Sequence, residues 1–65
     1  MFYVLRNIQT GNYFMKEISN NLDGRCIDTD DISKARKFDN YRVAQVKSQF
    51  IGGMKYSYEI VEAID

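Results

Sequence analysis

The chain has 65 residues, nine Lys or Arg against nine Asp or Glu, a single cysteine and no histidine. A core of this size rarely supplies more than about 3–5 kcal/mol, and the usual staples are missing. One thiol forms no intrachain disulfide, and without histidine it builds no structural zinc site. A neutral chain also lacks the basic footprint of a general nucleic-acid binder.

One domain is expected, 1–65, stabilised by helix–sheet packing or by self-association, and five Tyr with four Phe favour the packing. Phe2 to Ile8 is rich in β-branched and aromatic residues and reads as a strand. Asn12 to Ile18 reads as a second. Between them, a type I turn over Gln9 and Thr10 with a left-handed Gly11 makes a bulged hairpin. That register pairs Ile8 with Asn12, Arg6 with Phe14, Val4 with Lys16 and Phe2 with Ile18. One sheet face then carries Phe2, Val4, Ile8, Phe14 and Ile18. The other carries Tyr3, Leu5, Tyr13 and Met15 with Asn7 and Glu17.

Ser19 to Gly24 is turn chemistry, and Arg25 to Thr29 is a short strand carrying Cys26. Asp30 or Asp31 caps a single helical turn through Ile32 to Arg36, with Ile32 and Ala35 inward. Phe38 plugs the core at the entrance to the main helix. That helix, about 40–51, starts at a cap supplied by Asp39 or Asn40 and stops at Gly52-Gly53. Val43, Val46, Lys47 and Phe50 form its inward stripe, widened by Ala44 and Ile51, with the Lys47 stem lying along it. A helix this short is marginal alone, so the stripe must be covered. Lys55 to Ile64 is the last strand, with Tyr56, Tyr58, Ile60 and Ile64 on one face. The expected fold class is α+β: a small, mostly antiparallel three- to four-stranded sheet in the order ββ(β)αβ. The helix lies on one face and the last strand returns beside the first.

The chemistry-bearing residues are sparse. Asp28, Asp30 and Asp31 lack the glycine and distal glutamate of a calcium loop and read as an acidic helix start, so no metal or cofactor is expected. Cys26 has no histidine to activate it and reads as a small buried hydrophobe. No catalytic residues are expected, and no enzyme. Lys34, Arg36, Lys37 and Arg42 read mainly as a solvated basic segment. If the helix covers the opposite face, Tyr3, Leu5, Tyr13 and Met15 are left exposed together, a patch of the kind that marks a partner. No apolar run of about 18 residues spans a membrane, no signal peptide is read at the N-terminus, and the lone thiol suits a cytoplasm.

Tyr3-Val4-Leu5-Arg6-Asn7 with Thr10-Gly11-Asn12-Tyr13, then Asp31-Ile32-Ser33-Lys34-Ala35 with Phe38-Asp39, then Tyr58-Glu59-Ile60-Val61-Glu62, resembles small proteins encoded by bacteriophages and prophages. The main helix departs from that group at its start, where Tyr41-Arg42-Val43 stands in place of a glutamate-rich turn. The resemblance implies a phage accessory product in the host bacterial cytoplasm that binds and inhibits a host protein, CRISPR-type defence effectors included. The leading expectation is a non-enzymatic protein that occupies a host-protein surface through Tyr3, Leu5, Tyr13 and Met15, with Arg36, Lys37 and Arg42 as a charged rim. The alternatives are a small nucleic-acid-binding module, with tyrosines stacking on bases, and a self-assembling component that pairs as a homodimer.

Overall fold

The computed structural model describes residues 1–18, 26–52 and 57–64. Strands β1 (Phe2–Asn7), β2 (Tyr13–Glu17), β3 (Cys26–Thr29) and β4 (Tyr58–Ala63) form one four-stranded sheet in the order β3-β2-β1-β4. All three pairings are antiparallel. A 3-10 turn (Ile32–Lys34) and helix α1 (Tyr41–Gly52) complete the described elements, and α1 packs on the sheet. This is the expected α+β arrangement, and β4 does return beside β1, from Phe2↔Ala63 to Asn7↔Tyr58. The turn chemistry of 19–24, the strand start at Arg25, the stop at Gly53, and Lys55 with Tyr56 lie outside the described residues.

The hairpin closes one residue earlier than the bulged turn requires. Asn7 N–H donates to Asn12 C=O at 2.7 Å and Gly11 N–H to Asn7 C=O at 2.8 Å, so Arg6 faces Tyr13 rather than Phe14. The physical reason is the Asn7 side chain. Its Oδ1 accepts from the N–H groups of Gln9 (2.9 Å) and Thr10 (3.3 Å) and so organises a longer loop than Gln9-Thr10-Gly11 alone. Gly11 does take the left-handed conformation, with φ 81°.

A one-residue slip exchanges the faces of one strand relative to its neighbour. Phe14 therefore joins Leu5 on one side of the sheet, while Tyr13 joins Val4 on the other. Ile8 and Ile18, expected inside, are exposed. Both faces of β1 are covered. On one face Ala44 and Ile51 of α1 cluster with Leu5, Phe14 and Phe38, with Tyr3, Cys26, Tyr58 and Ile60 at the margin. On the opposite face, Phe2, Val4, Ala35 and Ala63 form a smaller cluster with Tyr13 and Val61.

Strands β1 and β2 pair at Arg6↔Tyr13, and beyond it the segment 36–38 fits against both. Arg36 N–H donates to Phe14 C=O at 2.9 Å, and Phe38 exchanges two backbone bonds of 2.8 Å with Tyr3. This inserts Phe38 into the core, as expected, and sets where the chain enters α1. Asp31 caps the 3-10 turn and Ala35 is buried behind it, but Ile32 stays exposed because the turn is only three residues long.

Asn40 caps α1, its Oδ1 accepting from Arg42 N–H at 2.7 Å. The helix is rotated from the expected orientation. Ala44 and Ile51 face the sheet with Lys47 and Ser48 half-buried beside them, whereas Val43, Val46 and Phe50 are 55%, 46% and 80% exposed. The difference corresponds to about one residue, or 100°. The sheet side and Phe38 already fill the core with large side chains, and small Ala44 and Ser48 allow the helix to sit close over them.

Candidate docking groove on the helix

Val43, Val46 and Phe50 stand on successive turns of α1 and form a continuous apolar stripe in water. Fully burying such a side chain is worth about 1.5–3 kcal/mol, so leaving this stripe open forgoes an amount comparable with the stability of a very small domain. Scattered exposed hydrophobes need no explanation, but a contiguous stripe beside a hollow does. The hollow is a groove of about 410 Å³. One wall is the stripe with Arg42 and Lys47. The other is formed by Phe38, Arg36 and Glu17.

Each wall is held by features already described. The Asn40 cap and the Phe38–Tyr3 bridge fix the azimuth of α1. The bond from Arg36 N–H to Phe14 C=O holds the opposite wall, and the Arg36 guanidinium lies 5.8 Å from the centre of the Phe38 ring. Lys47 bonds Glu17 across the groove, which ties the helix to the end of β2. Both side chains are partly exposed, so the pair contributes only about 0–1 kcal/mol of stability. Its effect on charge matters more. With Glu17 engaged by Lys47, the groove rim keeps the net positive character of Arg36 and Arg42.

The expected contact residues do not form one surface. Leu5 is fully buried beneath α1 and cannot contact a partner. Tyr3 is half-buried and meets the Tyr41 ring edge-on at 5.6 Å. Tyr13 lies on the opposite face because of the register slip, and half-buried Met15 sits at the irregularity between Phe14 and Lys16. The aromatic patch of Tyr3, Leu5, Tyr13 and Met15 is therefore dispersed. Of the expected rim, Arg36 and Arg42 line the groove. Lys37 turns away, with its Nζ 4.9 Å from the centre of the Phe2 ring, beside a second hollow of about 390 Å³. Helical spacing alone places Val43, Val46 and Phe50 in the core, and only the choice of stripe puts them outside it.

A separate polar cluster lies at the sheet end near the hairpin. Asp28 accepts from Asn7 Nδ2 at 3.2 Å and from the Tyr58 hydroxyl at 2.9 Å. Burial, then the bond to Asp28, pushes the Tyr58 hydroxyl well above the ordinary phenol range. Burial also pushes the Cys26 thiol up, against a hydrogen bond with Tyr58 that lowers it. A raised thiol is a poor nucleophile, so these groups read as a structural network. Asp31 is held instead at the 3-10 turn, where hydrogen bonds from the Ser33 hydroxyl and N–H hold its carboxyl below the usual carboxylate range. Among the described residues, no cluster of three or more His, Cys, Asp or Glu could hold a metal ion, and no helix is long and apolar enough to cross a membrane.

Compared with known proteins, the chain matches no family model, no curated sequence and no solved structure. The groove itself therefore carries the functional reading.

Proposed function

We propose that this chain is a non-enzymatic binding module that seats a partner protein in the groove beside α1. The observation that carries the reading is the exposed stripe of Val43, Val46 and Phe50, left outside a core that needs apolar area. Taken with the resemblance to phage-encoded accessory proteins, the partner is a host protein whose surface is occupied and inhibited, with a CRISPR-type defence effector one candidate. A second reading is single-stranded nucleic acid. It is favoured by Arg36 over the Phe38 ring and by a groove whose lining also includes Arg42 and Phe50, and disfavoured by the neutral whole-chain charge.

Affinity capture from bacterial lysate, with and without nuclease, tests the choice. The chain is compared with Val46→Ser/Phe50→Ser and with Ile64→Ser, an exposed position outside the groove. A stoichiometric protein that survives nuclease, is lost with the groove variant and is kept by Ile64→Ser is the expected result. Equal capture by all three chains would rule out the groove. Loss of all captured material on nuclease treatment would transfer the function to nucleic acid.

A further inference from the structure

Resting on the docking reading, we infer that the groove takes an acidic amphipathic helix of about two turns, with apolar side chains on one face and carboxylates flanking them. Three observations lead there. The first is length. From Arg42 to Phe50 the groove wall runs eight residues along α1, about 12 Å at helical rise, which matches two turns of a helix laid alongside.

The second is backbone. An extended peptide binds by adding main-chain bonds to an open edge. Here one wall is a helix whose backbone bonds are internal. In the other, Arg36 N–H is bonded to Phe14, and the N–H and C=O of Phe38 are bonded to Tyr3. A helical segment brings its own backbone bonds and needs only side-chain contact.

The third is charge. Arg36 and Arg42 stand at the rim, Glu17 is engaged by Lys47, and α1 contains no Asp or Glu. A second copy packing its α1 against this one would bring another Arg42 to a rim already positive with Arg36 and Arg42, and no Asp or Glu of α1 to meet it. Carboxylates beside the apolar residues of a different chain meet the rim with opposite charge.

The test uses fluorescein-labelled synthetic peptides of about four helical turns with Leu at i, i+3, i+4 and i+7. One peptide carries Glu at the flanking positions and the other Lys, and an oligo-dT serves as the nucleic-acid probe. Binding to the full chain is followed by fluorescence anisotropy. The Glu peptide is expected to bind about tenfold more tightly than the Lys peptide at low salt, since the rim charges change from attraction to repulsion between them. The gap should narrow as salt rises. Arg36→Glu/Arg42→Glu should reverse the order, and Val46→Ser/Phe50→Ser should abolish binding of both, with circular dichroism and urea midpoints confirming that each variant folds.

Equal binding of the two peptides, still lost in Val46→Ser/Phe50→Ser, overturns the acidic partner and leaves the docking reading standing. Binding of neither peptide, or binding indifferent to that variant, overturns both. Tighter binding of oligo-dT than of the Glu peptide assigns the groove to nucleic acid. A dimer by light scattering that dissociates in Phe50→Ser assigns it to a second copy.

Discussion

Asn7 is the residue on which the hairpin and the third strand both depend. It is 2% exposed, and its amide uses Oδ1 for the loop and Nδ2 for Asp28. Asn7→Leu keeps the volume but leaves loop N–H groups and one Asp28 oxygen without their partner. The expected loss is about 2–3 kcal/mol of unfolding free energy, read by urea denaturation. A change below about 0.5 kcal/mol would show that water replaces the amide at no cost.

The same cluster has a pH signature. Tyr58 and Cys26 are acids whose folded values lie above their ordinary 10.0 and 9.0. Both are neutral when protonated, so the folded chain keeps protons that the unfolded chain releases. Their contribution to stability is complete below the unfolded values and is lost as pH rises past them. Urea midpoints should therefore fall from about pH 9 upward. Tyr58→Phe should flatten that decline, and an unchanged slope would remove Tyr58 from the explanation.

At the scale of elements, helix α1 separates two stripes that the sequence offers together. Val43 and Ala44 are neighbours, yet one is 55% exposed and the other is fully buried. Ala44→Asp places an unpaired carboxylate against Leu5 and Phe14 and should unfold so small a domain. Val43→Asp should shift stability by no more than about 0.5 kcal/mol, as exposed substitutions do. Thermal melts of the two variants decide the orientation of α1. The reverse outcome would restore the stripe of Val43, Val46 and Phe50 to the core and close the groove.

The whole molecule is held together by a segment that is not a strand. Residues 36–38 join β1, β2 and the start of α1 through Phe38 and Arg36. Phe38→Ala should cost about 3–5 kcal/mol, the range for emptying a buried phenylalanine site. A domain of this size holds no more than about that amount, so the variant should lack cooperative unfolding by circular dichroism. Phe38→Leu, which keeps most of the volume, should remain folded with a lower midpoint. If Phe38→Ala unfolds cooperatively near the parent midpoint, β1 and β2 hold together without the wedge. The groove also belongs to this scale, because its walls come from distant parts of the chain.

What the residues determined by themselves is the local grammar. Alternation and aromatic content marked the strands. Gly11 marked the turn, the pair Asp39 and Asn40 the helix start, the pair Asp30 and Asp31 the start of the short turn, and Phe38 the plug, with Asn40 and Asp31 the caps that the structure uses. These depend on neighbours a few positions away, so the order of strands and helix was legible, and with it the α+β class. Tertiary structure decided the azimuth of α1. The hairpin offset is local but hidden from an apolar pattern: Asn7 lengthened the loop by bonding the backbone of Gln9 and Thr10, which sent Phe14 and Tyr13 to opposite faces. The wedge at 36–38 set the entry to α1, and small Ala44 and Ser48 turned inward because Phe14, Phe38 and Leu5 had already filled the space. Periodicity gives the spacing of a stripe and leaves open which of two adjacent stripes a core of given volume accepts. That choice left Val43, Val46 and Phe50 in water and created the candidate site.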